Sequence, residues 1–184
     1  MSEVTFRTLL LLSLQKGWDI VTIDIEKAFL EAKLDENIYI KPPPGLDLVE
    51  NIDTTNKICK LNKAVYGLVQ ASKAFYREIV TQLKNKNLFT VSSIEPCLIQ
   101  KWIGNEQIVG GIYVDDIIFI GNKHIIEKEI NTLKERYSLR LKTKVDEYVG
   151  CQLIVESNSI ILHQQRLIDK MESEFSDRLK NISD

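Results

Sequence analysis

The stretch Ile112-Tyr113-Val114-Asp115-Asp116-Ile117-Ile118-Phe119-Ile120 constrains this chain more than any other. Two adjacent carboxylates interrupt a run that is otherwise almost wholly apolar. Left inside one continuous strand they would carry two like charges into a core, which is costly without a cation or solvent beside them. The chain is therefore expected to turn there, with Gln107–Val114 and Ile117–Gly121 as strands and Asp115-Asp116 as a very tight turn between them. An Asp-Asp hairpin tip is by itself ordinary turn chemistry. Another carboxylate changes the picture: Asp24 interrupts Ile23-Asp24-Ile25 near the end of Trp18–Ile25, a β-branched, alternating strand pattern. If that strand lies beside the hairpin, three carboxylates converge at one edge of a sheet. Hard oxygen ligands of this kind suit Mg2+, with Mn2+ as the alternative; such an ion keeps several waters and takes the rest of its shell from substrate phosphates. Two ions about 3.5–4 Å apart can activate a 3′-hydroxyl and stabilise a leaving pyrophosphate in an in-line displacement. A generic acidic rim is the competing reading of the same residues.

The remaining pattern supplies the frame. Thr5–Lys16 reads as a buried amphipathic helix closed by Gly17. Glu26–Ala32 makes a helical turn, Asn37–Lys41 a short strand stopped by Pro42-Pro43-Pro44-Gly45, Leu46–Asn56 a polar loop and Lys57–Asn62 another strand. Apolar Ala71, Ala74, Phe75, Ile79 and Leu83 set a helical period over Gln70–Asn87. Cys97–Ile103 pairs with Gln107–Val114 around Gly104-Asn105, and His124–Tyr137 is helical. Tyr148–Glu156 and Ile160–Leu162 form a hairpin around Ser157-Asn158-Ser159, followed by a last helix at Gln164–Phe175. Close central hairpins predict a mainly antiparallel sheet with helices on one face. That is an α+β, split βαβ ferredoxin-like layout in a single domain over residues 1–184.

Charge matters here through its distribution. The formal net charge of -2 over 184 residues does not point to a polyanion binder. Yet residues 57–101 hold 8 Lys/Arg against 2 Asp/Glu, while residues 1–56 hold 5 against 10 and residues 102–184 hold 11 against 14. A basic middle between acidic ends suits a polyanion on one surface and cations on another, or simply a solvated helix face. Cys59, Cys97 and Cys151 are scattered and odd in number, which excludes a complete disulfide framework; they read as core hydrophobes in a reducing compartment. His124 and His163 stand alone, at a helix start or on the surface rather than as ligands. The apolar run Leu9–Leu12 falls short of the roughly 20 residues that span a bilayer, so no membrane partner is expected.

Five blocks, in order, resemble the reverse transcriptases of copia-type LTR retrotransposons. Asp24-Ile25-Glu26-Lys27-Ala28-Phe29-Leu30 with Ile38-Tyr39-Ile40 and Pro44-Gly45 is similar to their first catalytic block. Leu61-Asn62-Lys63-Ala64-Val65-Tyr66-Gly67-Leu68-Val69-Gln70-Ala71 resembles the second, and Tyr113-Val114-Asp115-Asp116 the signature tetrad. Tyr148-Val149-Gly150-Cys151-Gln152-Leu153 and Ile161-Leu162-His163-Gln164 match the downstream pieces. The second block departs from the family pattern at Val69, Lys73 and Phe75, and the first at Glu31-Ala32.

The resemblance implies a polymerase palm in which Asp24 and Asp115 bridge two Mg2+ ions, Asp116 serves mainly one, and the Ile25 carbonyl completes the shell. It implies Phe29 as a steric gate under the sugar of the incoming nucleotide, with Tyr66 and Gly67 bordering nucleotide and template base. Ordinary core packing is the plainer role for Phe29 and Tyr66. Lys60, Lys63, Lys73 and Arg77 are the candidate phosphate contacts. The implied partners are an RNA or DNA template-primer, a deoxynucleoside triphosphate and the remainder of a pol polyprotein. The implied compartment is the cytoplasm, in a virus-like particle, or else the nucleus. The basic finger segment and the RNase H domain of the family are not recognised in this sequence, so the chain alone is expected to fold without polymerising. Two other readings stay open: an inactive retrotransposon remnant that binds metal or nucleic acid weakly, and another two-metal palm enzyme, such as an RNA-copying polymerase or nucleotide cyclase. The aromatic Phe29 favours deoxynucleotides over the latter.

Overall fold

The computed structural model describes residues 1–50, 53–142, 147–148, 150–156 and 158–180. The chain opens with α1 (Glu3–Lys16), whose start is capped by the Ser2 hydroxyl accepting from the Thr5 N–H at 3.2 Å. Gly17 closes it in the left-handed region at φ +63°, and the Trp18 N–H reaches back to the Ser13 carbonyl. Then follow β1 (Asp19–Ile25), a 3-10 turn at Ala28–Glu31, β2 (Tyr39–Ile40), α2 (Leu46–Glu50), β3 (Cys59–Lys60), α3 (Ala71–Asn85) and β4 (Thr90–Val91). The second half runs β5 (Leu98–Ile103), β6 (Glu106–Tyr113), β7 (Asp116–Gly121), α4 (Lys123–Lys134), β8 (Leu139–Lys142), β9 (Glu147–Tyr148), β10 (Cys151–Val155), β11 (Ile160–His163) and α5 (Gln165–Lys180).

Six strands form the main sheet in the order β4-β5-β6-β7-β1-β8, every pair antiparallel. Strands β11-β10-β9 make a second sheet and β2-β3 a two-stranded ribbon. The architecture is thus mixed α and β around a mainly antiparallel sheet, as the close hairpins predict. The expectation of helices on one face is corrected. Ile23, Ile25, Ile99, Ile108, Ile112, Ile117 and Phe119 face a core closed by Phe75, Ile79 and Leu83 of α3 and Ile126, Ile130 and Leu133 of α4. Val109, Ile118 and Ile120 face the other way, under Phe6, Leu9 and Leu10 of α1 and Tyr148 and Leu153 of the second sheet. The reason lies in β7: Ile117–Ile120 is apolar at every position, so both of its faces must be covered. Each such buried side chain contributes roughly 1.5–3 kcal/mol relative to exposure.

Smaller differences have local causes. Part of the polar stretch expected to be a loop is helical as α2, where Leu46, Asp47 and Leu48 follow the turn at Gly45. Strands β4 and β8 were not expected: each is too short to show a period and exists by pairing with a distant strand. Ser157, in the turn expected between β10 and β11, lies outside the described residues, although the pairing of those strands agrees with the expected hairpin. Among the described residues no helix is long and apolar enough to cross a membrane.

Candidate active site

Strand register brings the acidic residues together. Tyr113 pairs with Asp116, so the hairpin closes through a two-residue loop of Val114 and Asp115. The turn therefore sits one residue earlier than expected, and Asp116 is already the first residue of β7. Val114 takes φ +55°, a left-handed conformation that a β-branched side chain rarely adopts and that two-residue hairpin loops require of their first member. On the next strand Asp24 lies directly opposite Asp116, and the Ile25 N–H donates to the Asp115 carbonyl at 2.9 Å. Directly opposed residues of an antiparallel pair stand about 4.5–5.5 Å apart at Cα. They share a face, here the one opposite Ile23, Ile25 and Ile117. Asp24 and Asp116 are half-buried, Asp115 likewise, and the Ile25 side chain is buried in the core. Among the described residues no group of three acidic, histidine or cysteine side chains closes into a ready-made metal cage. Two opposed carboxylates with a third at the adjoining turn form an open, oxygen-rich edge, which is the donor chemistry a hard cation takes when waters and phosphates complete its shell.

The flanks of this pair are asymmetric. On one side stands Tyr113; on the other, across β8, Arg140 is the register partner of Asp24. Arg140 also lies 3.4 Å from the Glu26 carboxylate. Beneath the hairpin, the buried Tyr148 hydroxyl donates to the Gly111 carbonyl at 3.3 Å, and its ring packs on Phe6 with centroids 5.2 Å apart. Burial pushes the Tyr148 phenol above its ordinary range, and the negative charge of nearby Asp116 pushes in the same direction. Arg140 escaped the sequence reading because β8 did; the alternation Leu139-Arg140-Leu141-Lys142 was the available signal.

Phe29 sits on the 3-10 turn that follows β1, packed into the core and 9% exposed. Its ring meets that of Tyr66, centroids 4.6 Å apart at 57°, while Tyr66 is 60% exposed. Core packing and a wall facing solvent are thus combined in one aromatic pair. Gly67 follows with φ +93°. The basic residues lie on several elements. Lys60 stands opposite Tyr39 in the β2-β3 ribbon, and Lys63 bridges to Lys33 with its amine 3.7 Å from Glu31. Lys73 is exposed on α3, and Arg77 is ion-paired with Asp35. The structure brings Asp24 opposite Asp116 and Phe29 against Tyr66, while Lys60 stands in the β2-β3 ribbon and Lys73 and Arg77 on α3.

Comparison with known proteins gives a consistent answer. A family model described as "Reverse transcriptase (RNA-dependent DNA polymerase)" matches residues 2–180. The retrovirus-related Pol polyprotein from transposon RE1 of Arabidopsis thaliana is 29% identical over 168 residues, 90% of this chain and 11% of that protein. The Pol polyprotein from transposon TNT 1-94 of Nicotiana tabacum is 27% identical over 176 residues, 94% of this chain and 13% of the relative. The Gag-Pol polyprotein of transposon Ty1-NL2 of Saccharomyces cerevisiae is 31% identical over 141 residues, 73% of this chain and 7% of the relative. The chain therefore spans about a tenth of the length of the curated relatives it matches.

Proposed function

The chain belongs to the reverse transcriptase (RNA-dependent DNA polymerase) family, in its copia-type retrotransposon branch, and from that premise we propose that it forms the catalytic palm of an RNA-directed DNA polymerase. The observation that carries this reading is the register pair Asp24–Asp116 on adjacent central strands, with Asp115 beside it in the β6-β7 loop. On this reading Asp24, Asp115 and Asp116 hold divalent cations, Mg2+ or Mn2+, with the Ile25 carbonyl beside them. When bound, such ions supply activation of a primer 3′-hydroxyl and charge neutralisation at the departing pyrophosphate. The chain's own residues do the positioning. The β6-β7 loop fixes Asp115, β1 fixes Asp24, and the two-sided burial of β7 holds Asp116 rigidly against its neighbour. The Phe29–Tyr66 pair lines the nucleotide's sugar and base, Phe29 filling the space a 2′-hydroxyl needs, with Gly67 alongside. Lys60, Lys63, Lys73 and Arg77 contact template or primer phosphates, Lys63 and Arg77 after exchanging Glu31 and Asp35 for them. The partners are a template-primer, a deoxynucleoside triphosphate and the rest of a Pol polyprotein, working in a cytoplasmic particle.

The test is direct cation binding. Mn2+ titration followed by electron paramagnetic resonance, with thermal unfolding in parallel, should show saturable binding that raises Tm by mass action on the folded state. Asp24→Asn and Asp116→Asn should each weaken Mn2+ binding about tenfold or more, since each removes a ligand charge. Variants that bind Mn2+ as the parent does would overturn the site. Failure of the parent to bind would favour a non-catalytic remnant.

A further inference from the structure

A row of four directly paired residues crosses the main sheet at the acidic edge. Tyr113 faces Asp116, Asp116 faces Asp24 and Asp24 faces Arg140, on β6, β7, β1 and β8 in turn. Residues directly opposed in antiparallel strands project to one face, so the row reads phenol, carboxylate, carboxylate, guanidinium. Arg140 occupies the outer end, on an edge strand, with its side chain 69% exposed. One of its guanidinium nitrogens lies 3.4 Å from the carboxylate of Glu26, which follows the end of β1 and is itself 41% exposed. An exposed pair at that distance is weak and readily exchanged.

The position is not explained by cation binding. A fixed positive charge one strand spacing from Asp24, about 4.8 Å, lowers the affinity of that carboxylate for a divalent cation. A guanidinium there is suited instead to an anion that arrives together with the cation. Its planar fork matches two phosphate oxygens at once, and among the described residues its contact is one nitrogen to one Glu26 oxygen, which leaves further donors for them.

We propose that Arg140 binds a phosphate group of the substrate at the β8 edge of the carboxylate site, an inference that rests on the polymerase reading above. The phosphate belongs either to the primer strand or to the incoming nucleotide. Glu26 holds the guanidinium until the phosphate displaces it.

The experiment measures three ligands on the parent chain and on Arg140→Gln, Arg140→Lys and the control Arg136→Gln. Arg136 is an exposed arginine paired with Glu78, beside Tyr137 in the core on the opposite face. A fluorescently labelled DNA primer on an RNA template is titrated by anisotropy across a salt series. A labelled deoxynucleoside triphosphate is titrated likewise, and Mn2+ by electron paramagnetic resonance. If the phosphate is in the primer, Arg140→Gln weakens duplex binding about five- to tenfold and lowers its salt slope by about one. Arg140→Lys should restore the slope but only part of the affinity, and Arg136→Gln should change neither. A loss confined to the triphosphate assigns the phosphate to the nucleotide and equally supports the proposal. Unchanged affinity for both phosphate ligands, with tighter Mn2+ binding, would overturn it and leave Arg140 a countercharge for Asp24 and Glu26. A parent chain that binds neither Mn2+ nor duplex overturns the polymerase reading itself, and this inference with it.

Discussion

Gly110 and Gly111 stand side by side in the hairpin arm that ends at Tyr113, yet they are not interchangeable. A Cβ at Gly110 would lie 2.8 Å from the Ile118 carbonyl oxygen and 3.1 Å from both Ile99 and Phe119. The backbone oxygen cannot yield unless β7 moves, and β7 carries Asp116. At Gly111 the nearest atoms are side-chain ends: the Met1 thioether, which can swing away, and Leu9 and Ile118 methyl groups at 3.2 Å. Gly110→Ala should therefore cost about 1–3 kcal/mol by overpacking and weaken Mn2+ binding as well, while Gly111→Ala should cost less and spare the cation. Urea unfolding with parallel Mn2+ titration checks this; equal effects at the two positions would show that the β6-β7 spacing is not what holds Asp116. Asp24, Asp115 and Asp116 stand out in the sequence as charge set in apolar strands, and the register places Asp24 opposite Asp116 with Asp115 in the adjoining loop. The one-residue difference in the turn was not legible there, because Val114 takes a left-handed conformation that its β-branched side chain argues against.

At the scale of elements, α1 is tied to the sheet through one carboxylate. Glu95, just before β5, accepts from the Ser2 N–H at 3.1 Å and the Thr5 hydroxyl at 3.2 Å, and from the Cys97 N–H at 3.4 Å. The Ser2 N–H bond chiefly holds its pKa below the ordinary glutamate value of 4.5, with burial opposing. A carboxyl depressed in the folded state contributes stability that is present above the unfolded pKa and is lost as pH falls through the folded one. Docking of α1 should accordingly loosen below about pH 4.5. Trp18 packs against the core under α1, so its fluorescence reports this in a Trp102→Phe background. Glu95→Gln should remove most of the acid-dependent change in that signal; an unaltered profile would place the transition elsewhere. The contact between Glu95 and the start of α1 could not be read from the sequence, since it joins residues 90 or more apart. Elements with a period of their own, α1, β1, α3, the β6-β7 hairpin and α4, were legible. Strands β4 and β8 were not, and the arginine beside Asp24 was lost with β8, because a four-residue alternation acquires meaning only from the strand it pairs with.

Over the whole molecule the sheet separates two unequal cores, and the carboxylates belong to the side with the smaller one. The larger core joins α3 and α4 to the sheet; the smaller joins α1, Tyr148 and Leu153 to Val109, Ile118 and Ile120. Asp24 and Asp116 project to this second side by register, and the Tyr148 hydroxyl reaches the Gly111 carbonyl from the second sheet. That sheet is short, three strands of two to five residues, and Ile154, Val155 and Ile161 in it are exposed. Few apolar side chains hold it, so it should open at lower free energy than β1, β6 and β7, which are buried from both sides. Native-state hydrogen exchange should show β10 and β11 amides exchanging through a sub-global opening, with β1, β6 and β7 near the global limit. Because that opening uncovers the side on which the carboxylates lie, Mg2+ should slow exchange in β10 and β11 as well as in β1 and β7. Leu153→Ala should deepen the difference between the two groups and weaken cation binding. Leu83→Ala, buried in the larger core, should instead lower the global limit by about 2–5 kcal/mol and leave native-state cation affinity unchanged. Uniform exchange across both sheets, or protection by Mg2+ confined to β1 and β7, would show that the second core is not coupled to the acidic edge.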